Sequence, residues 1–366
     1  MSSPLRAVIA DDSMLYRTVL ARALSNIEGV EVVAQATNGV EAVDCVKRLT
    51  PDFLTLDLNM PRLDGIGTLR ALRDARLTCE VIMVSSETRQ GAAATLEALQ
   101  LGAVDFIIKP AEGNASVSAE VLGNELRRQL AAIRLRRDRR QLRDPSMTTV
   151  TKLPVRSPSL AIPIFTESVV RLAPEIIAIG VSTGGPAALP ILMSALPAKL
   201  GVPVVIVQHM PPVFTASLAE SLDKKCPLCV QEGRNGQLVS PDCVYIAPGG
   251  RHMKVKRAFN QTVRLEISEE PPENHCKPSV DVLFRSVAEE YGGRVVAAIL
   301  TGMGCDGVAG LRILKSLGAR VIAQDEATCT VFGMPQEAIR AAVVDSVLPL
   351  NRIAEALVAA VYSNGK

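Results

Sequence analysis

Glu175-Ile-Ile-Ala-Ile-Gly-Val-Ser182 is a near-continuous apolar run that stops at a hydroxyl, with Gly184 and Gly185 just beyond it. A run of this kind, ended by glycine or a helix-start residue, reads as a parallel strand buried on both faces. Two later runs stop the same way. Val202-Pro-Val-Val-Ile-Val-Gln leads into His209, and Val295-Val-Ala-Ala-Ile-Leu-Thr-Gly-Met-Gly-Cys leads into Asp306. In open parallel α/β sheets, ligands gather beyond the carboxyl ends of the strands. One Ser, one His and one Asp are therefore expected at one edge of one sheet, and these are the groups a nucleophilic hydrolase uses.

The N-terminal half repeats the pattern in shorter units. Arg6–Asp11, Val30–Ala36, Phe53–Asp57, Glu80–Ser85 and Val104–Lys109 are β-rich, while Met14–Asn26 and Leu63–Arg73 have helical length and period. Such alternation predicts a parallel sheet with helices on both faces. About 115 to 125 residues complete five such units, so a first domain is expected over residues 1–125. From Arg127 to Arg143 there are eight Arg and one Asp. The run is either a basic helix for an acidic partner or the solvated face of the first domain's last helix. Its shortness and lack of aromatic residues favour the second. Residues 144–163 are rich in Ser, Thr and Pro without periodicity, which predicts a flexible connector. The expected order is thus domain 1–125, helix end and linker 126–164, and domain 165–366. The expected class is α/β, with two doubly wound parallel-sheet domains.

The totals agree with an ordinary globular protein. The chain has 366 residues and 48% apolar content, enough for two cores. Lys plus Arg is 40 and Asp plus Glu is 38, a balance that argues against nucleic acid as a general partner. Met1-Ser-Ser-Pro-Leu-Arg6 leads straight into a strand-like run with no export pattern, and no apolar stretch has membrane-spanning length. A cytoplasmic location follows as an expectation, and with it reduced thiols for the eight Cys. Cys226-Pro-Leu-Cys229 is a single Cys-x-x-Cys, which without a second pair reads as two packed or surface thiols.

In the first domain, Asp11 and Asp12 end the first strand, Asp57 the third, Ser85 the fourth and Lys109 the fifth, just before Pro110. All converge on one sheet edge. Three carboxylates in one place repel each other unless a cation sits among them, and hard oxygen ligands suit Mg²⁺. A carboxylate so placed can act as a nucleophile toward phosphorus. Lys109 would balance the phosphoryl charge and Ser85 would donate to a phosphoryl oxygen. These residues, in Ile9-Ala-Asp-Asp-Ser13, Leu56-Asp-Leu-Asn-Met-Pro61, Met83-Val-Ser85 and Phe106-Ile-Ile-Lys-Pro110, make residues 5–122 resemble the receiver domain of two-component response regulators. The resemblance implies a flavodoxin-like fold and Asp57 as phosphoacceptor. It implies Mg²⁺ on Asp12, Asp57 and the Asn59 backbone carbonyl with help from Asp11, and Ser85 and Phe106 as switch positions beside Lys109.

Gly180-Val-Ser182-Thr-Gly-Gly185 fits Gly-x-Ser-x-Gly, a strand-to-helix turn that presents a nucleophilic hydroxyl beneath helix-start N–H groups. Pro186 suits the helix's first turn. The spacing fits neither a dinucleotide fingerprint nor a Walker loop. A base must come from His209, His252 or His275, the three His of the chain, and the strand-end position favours His209. Asp306 could orient that His, or cap the helix expected at Val308–Ser316, or both. The order Ser, His, Asp differs from the Ser, Asp, His of α/β-hydrolases, so a triad here needs another fold.

Residues from about 170 to 360 resemble the catalytic domain of the chemotaxis protein-glutamate methylesterase family, CheB. The matching pieces are Gly180–Pro186, Val207-Gln-His-Met-Pro211, Ile246–His252, Lys277–Phe284, Leu300–Gly307 and Phe332-Gly-Met-Pro335. The resemblance implies a Rossmann-like three-layer hydrolase domain with Ser182, His209 and Asp306 as triad. It implies hydrolysis of γ-glutamyl methyl esters, and deamidation of glutamine, on methyl-accepting chemotaxis receptors, with a chemotaxis histidine kinase as phosphoryl donor. Backbone N–H groups of Thr183 and Met303 are the expected oxyanion donors. The unphosphorylated receiver is expected to cover the active-site face. Two rival classes are a response regulator with a binding output and a small-molecule esterase with an appended receiver. A near-neutral chain without a helix-turn-helix pattern weighs against DNA, and groove shape decides the other.

Overall fold

The computed structural model describes residues 3–110, 115–143 and 172–362. The connector expected at 144–163 lies outside the described residues.

The first domain alternates strand and helix throughout: β1 (Leu5–Ala10), α1 (Met14–Ser25), β2 (Val30–Ala36), α2 (Gly39–Leu49), β3 (Phe53–Asp57), α3 (Gly65–Asp74), β4 (Glu80–Ser85), α4 (Arg89–Gln100), β5 (Asp105–Ile108) and α5 (Ala115–Arg143). The strands form one parallel sheet in the order β2-β1-β3-β4-β5. Order reverses between β1 and β3, so the crevice that such reversals create opens beside Asp11 and Asp57. Side chains of Ser13, Asn38, Asp64 and Thr88 each accept the N–H three residues on. Each such cap is worth about 1 kcal/mol and fixes where α1 to α4 begin.

The last helix runs on past residue 125 to Arg143, within the stretch 126–164 where a helix end was expected. Leu122, Leu126, Leu130 and Ile133 are all buried and keep one apolar stripe facing the sheet beyond that point. Within the basic run, Arg136 pairs with Glu80 at 2.9 Å and Arg137 with Asp52 at 3.5 Å, while Arg134 donates to the Glu28 carbonyl. These arginines bind their own domain.

The second domain contains β6 (Ile176–Val181), α6 (Gly185–Ser194), β7 (Val204–Gln208), α7 (Phe214–Asp223), β8 (Cys229–Glu232), β9 (Cys243–Ile246), β10 (His252–Arg257), β11 (Val263–Ser268), α8 (Val280–Tyr291), β12 (Val295–Ile299), α9 (Val308–Ser316), β13 (Arg320–Gln324), α10 (Met334–Arg340), β14 (Ser346–Leu348) and α11 (Leu350–Tyr362). Its sheet is parallel, in the order β14-β13-β12-β6-β7-β9-β8. Every residue of β6, β7 and β12 is buried. Ile177 and Ile179 face one core, Ile176 and Ala178 the other, as the two-residue period of a strand requires. The chain leaves β6 toward β7 on one side and returns through β12 on the other, so the switch point lies between β6 and β12.

One element departs from the doubly wound plan. β10 and β11 form an antiparallel hairpin, His252 opposite Ser268 and Arg257 opposite Val263. Met253 and Val255 are buried in the core shared with α8, while Lys254 and Lys256 point to Glu270 and Glu266.

The two domains pack through α4 and α7. Phe106 of the first stacks on Phe214 of the second, with ring centroids 4.4 Å apart and planes 18° apart.

Candidate active site

Ser182 follows β6, His209 follows β7 and Asp306 lies in the loop after β12. These three strands are neighbours at the switch point, so one crevice receives all three side chains. The Ser182 turn is held by its backbone. Its N–H donates to the Thr301 carbonyl at 3.0 Å, and its carbonyl accepts from Gly185 at 2.8 Å. Gly184 has φ +86°, where a side chain would be strained. A Cβ on Gly185 would come within 1.8 Å of Gln208 Oε1. Gln208 is the reason for that closeness. Its Nε2 donates to the carbonyls of Ser182 at 3.0 Å and His209 at 3.1 Å, tying the Ser182 turn to the His209 loop.

His209 Nε2 lies 2.7 Å from Asp306 Oδ2. Among the described residues, no hydrogen bond joins the Ser182 hydroxyl to the ring. Nε2 is engaged by Asp306, and the neighbour of Nδ1 is Cys276 Sγ at 3.8 Å.

Asp306 does cap a helix, but not the one that follows it. α9 starts at Gly307 without a side-chain cap. The Asp306 carboxylate instead reaches the start of α8: Oδ2 accepts from the Val280 N–H at 2.7 Å, and Oδ1 accepts from the Asp281 N–H at 3.0 Å and Ser279 Oγ at 2.9 Å. The favour is returned by Asp281, whose Oδ1 accepts from Gly310 N–H in the first turn of α9 at 2.7 Å. The two helix starts interlock through exchanged aspartates, and each carboxylate sits at a positive helix end. Burial alone would raise Asp306, but His209 and the helix N–H groups outweigh it and hold the carboxyl below its ordinary value. For His209, burial would lower the imidazolium, but the Asp306 bond and the Cys276 sulfur outweigh it and hold it above the ordinary histidine value. Burial and the nearby Asp306 charge push Asp281 upward.

The other histidines divide. His252 is buried, with Nε2 3.0 Å from the Pro271 carbonyl and Nδ1 accepting from the Ser279 N–H at 3.2 Å. It is a packed residue that supports the α8 cap. His275 is exposed on the cleft wall. Residues that sequence reasoning missed are Gln208, Ser279, Asp281, Asn274, which bonds Asp281 at 2.9 Å and Asp306 at 3.4 Å, and Cys276, whose Sγ lies 3.8 Å from His209 Nδ1. Of these, Gln208 alone had a visible signal: a polar residue closing an otherwise apolar strand. Cys226 donates to the Met193 carbonyl and Cys229 is exposed. Among the described residues, neither belongs to a cluster of three metal-ligand groups.

Thr183 and Met303 flank the same cleft as Ser182 and His209, a cavity of about 590 Å³. Their backbone N–H groups make no hydrogen bond to another described residue, so both are free to meet a developing oxyanion. The opposite wall of the cleft belongs to the first domain and includes Asp105, Phe106 and Arg128. Thr183 Oγ1 donates to Asp105 Oδ2 at 2.7 Å, so the first domain is bonded to the residue beside Ser182. Burial pushes Asp105 up to about 6, against the lowering effect of that bond.

In the first domain the expected residues also meet. Carboxylate oxygens of Asp11, Asp12 and Asp57 lie within 4.8 Å of one another. Lys109 Nζ is 2.9 Å from both Asp11 and Asp57 and 4.5 Å from the Tyr16 ring centre. Burial pushes Asp57 up to about 6, against the pull of Lys109. Burial would lower Lys109, but Asp57 and Asp11 outweigh it and raise it. One cation among three carboxylates leaves excess negative charge on oxygen ligands, a donor set that fits Mg²⁺. Asn59, two residues past Asp57, is exposed. The Ser85 hydroxyl is engaged by Thr95 Oγ1 at 2.8 Å and by the Ser86 carbonyl at 3.3 Å. Among the described residues, no hydrogen bond links it to Asp57.

Among the described residues, no helix is long and apolar enough to cross a membrane. Comparison with known proteins bears on both domains. The CheB methylesterase family model matches residues 177–357, and the response regulator receiver domain model matches residues 7–119. A protein-glutamate methylesterase/protein-glutamine glutaminase of Desulfotalea psychrophila is 43% identical over 97% of this chain and 98% of its own length. One of the same name from Archaeoglobus fulgidus is 42% identical over 97% of each chain. The solved Thermotoga maritima CheB methylesterase catalytic domain is 43% identical, with a TM-score of 0.50 over 51% of this chain and 98% of that one.

Proposed function

This chain belongs to the CheB methylesterase family, with a response regulator receiver domain at its N-terminal end, and from that premise we propose that it is a phosphorylation-activated protein-glutamate methylesterase and protein-glutamine glutaminase acting on methyl-accepting chemotaxis receptors in the cytoplasm. The observation that carries the chemistry is the 2.7 Å bond between His209 and Asp306 in the cleft that Ser182 also lines.

Ser182 Oγ attacks the ester carbonyl of a receptor glutamate while His209 Nδ1 takes its proton. Asp306 keeps the other proton on Nε2 and stabilises the imidazolium. The Thr183 and Met303 N–H groups receive the developing oxyanion, and losing one such donor costs on the order of 100-fold in turnover. His209 then returns the proton to the leaving group. Methanol departs from an ester, or ammonia from a glutamine amide, and water attacks the acyl-Ser182 with His209 again as base.

In the receiver, Asp57 is the phosphoacceptor and a chemotaxis histidine kinase the donor. Asp11, Asp12, Asp57 and the Asn59 carbonyl would hold Mg²⁺, which when bound supplies charge neutralisation for phosphoryl transfer. Lys109 balances the phosphoryl charge, Ser85 turns its hydroxyl to a phosphoryl oxygen, and Phe106 responds to that move. The Asp105 and Phe106 contacts with the catalytic domain support a receiver that restricts the cleft before phosphorylation.

The test is methanol release from methylated receptor membranes by the wild-type chain and by Ser182→Ala. Release by wild type alone, raised by a phosphoryl donor, is the expected result. Turnover of a simple ester with none from receptors would favour a small-molecule esterase.

A further inference from the structure

A thiol faces His209 across the cleft, and the hydrolytic chemistry does not use it. Glu273 and Cys276 close a two-residue turn, with the Cys276 N–H donating to Glu273 at 2.8 Å and the Glu273 N–H to Cys276 at 3.1 Å. The central residues Asn274 and His275 have φ of 52° and 62°, the sign that a type I′ turn demands at both positions. The turn is pinned on two sides. The Arg285 guanidinium grips the Glu273 carboxylate, one contact being 2.7 Å. Asn274 bonds both Asp281 and Asp306. Cys276 is thereby presented on a fixed frame, with Sγ 3.8 Å from His209 Nδ1.

That separation suits two ligands of one metal ion. A zinc bound at about 2.0–2.1 Å to nitrogen and about 2.3 Å to sulfur holds the two atoms about 3.5–3.8 Å apart over tetrahedral to trigonal angles. A metal-bound histidine typically donates its other N–H to a carboxylate, which fixes tautomer and ring orientation. His209 has that partner in Asp306 at 2.7 Å. Thiolate and imidazole select soft or borderline cations, whereas the all-carboxylate receiver pocket suits a hard one. His209, Cys276 and Asp306 form one of the two clusters of such groups among the described residues.

We propose that Cys276 Sγ and His209 Nδ1 bind Zn²⁺, with Asp306 orienting the histidine, and that the bound ion silences the esterase. The silencing rests on the function proposed above, because Nδ1 is the nitrogen that Ser182 needs. Two protein ligands leave the other positions to water from the cleft, so the ion exchanges readily. Binding releases to solvent the Cys276 proton and any proton His209 carries on Nδ1, so occupancy rises with pH.

The experiment uses the full chain under reducing conditions. Methanol release is titrated with Zn²⁺ for wild type and Cys276→Ala, then with a chelator. Wild type should lose activity and regain it on chelation, and whatever activity Cys276→Ala retains should need more than about tenfold higher Zn²⁺ for the same fractional loss. Independently of catalysis, Co²⁺ is added to Ser182→Ala and to Ser182→Ala/Cys276→Ala. A thiolate-to-cobalt absorption band in the first, diminished in the second, supports the site. Equal Zn²⁺ sensitivity of wild type and Cys276→Ala, or equal cobalt bands in the two Ser182→Ala proteins, overturns it. If wild type releases no methanol even without metal, the hydrolytic assignment fails while the cobalt comparison still decides the metal site.

Discussion

Asp306→Asn is the sharpest probe of the catalytic geometry, because the native carboxylate accepts on both oxygens. Oδ2 receives Val280 N–H and faces His209 Nε2, while Oδ1 receives Asp281 N–H and Ser279 Oγ. An amide keeps one acceptor oxygen and turns two donors toward whatever faces its nitrogen. If the nitrogen takes the Oδ2 position, it opposes the Val280 N–H and donates to Nε2, driving the ring proton to Nδ1. The base is then in the wrong tautomer, a loss of about 10⁴ in turnover for triads of this type, or about 5.5 kcal/mol of barrier. If the nitrogen takes the Oδ1 position, Asp281 N–H and Ser279 lose their acceptor at a buried helix start. Each donor left unsatisfied costs about 1–3 kcal/mol of stability. Asp306→Asn should therefore lose at least about 10³-fold in methanol release or at least about 1 kcal/mol in urea unfolding, with a trade between the two. Turnover within tenfold of wild type and an unchanged urea midpoint would refute both the tautomer assignment and the crossed cap.

Phe106→Ala removes the stack on Phe214, worth about 0.5–1.5 kcal/mol beyond its burial. Methanol release by the unphosphorylated chain should rise about 2- to 13-fold, and no rise would argue against the receiver as a restraint. His209 has its imidazolium held above the ordinary value and must lose that proton to act as base. Turnover should climb with pH along a limb centred above about 6.5, and a pH-rate profile with its midpoint at or below that value contradicts the pairing. The stability sign is opposite: the His209 contribution is complete below about pH 6.5 and fades as pH rises through the folded value, which urea midpoints across that range would follow. Gly185→Ala forces a methyl into Gln208 Oε1 and should cost about 1–3 kcal/mol in thermal or urea unfolding. Adding Gln208→Ala should return part of that loss, and a double variant less stable than the sum of the singles would exclude the clash.

How far local pattern reaches is clear from individual residues. The apolar runs into Ser182, His209 and Asp306 specify strands by composition alone, and a parallel sheet then brings their ends together. Asp306 capping α8 was not legible, because which helix start lies within reach depends on α8 and α9 packing side by side, not on chain proximity. Asp281, Asn274 and Cys276 were hidden for the same reason. Apart from the Asn274–Asp281 bond, which spans 7 residues, the partners of their side chains are 29 to 67 residues away in sequence, and no period or motif encodes such a meeting. The β10–β11 hairpin was legible in principle. Met253 and Val255 alternate with Lys254 and Lys256, the period-two signature of a half-buried strand, but it is short beside the βα repetition around it. The continuation of α5 past residue 125 was legible as the helix end expected in 126–164; what its arginines masked is the buried stripe of Leu126, Leu130 and Ile133 beneath them.

The interdomain contacts set a quantitative demand on the proposed switch. Asp105 and Phe106 are consecutive on β5, and Lys109 follows that strand directly. Phe106 meets Phe214, Asp105 meets Thr183, and Lys109 holds Asp57 and Asp11. One short strand thus links the acidic pocket to the loop that carries Ser182. Moving a two-state equilibrium from 1:99 to 99:1 takes about 5.5 kcal/mol. The aromatic stack offers about 0.5–1.5 kcal/mol beyond its burial, and a hydrogen bond to an ionised group about 1.5–3 kcal/mol. Neither contact alone meets that figure, and together they approach it only at their upper limits. A strong switch must therefore draw on more than either contact, for instance on both together with the α4–α7 packing and the 2.6 Å Lys225–Gln100 bond, which a shift of the first domain's face against the catalytic domain would do and a rotation of the Phe106 ring alone would not. Phosphorylation should then activate beyond the level of unphosphorylated Phe106→Ala. If a phosphoryl donor raises wild-type methanol release only to that level, the Asp105–Thr183 bond plays no part in the restraint.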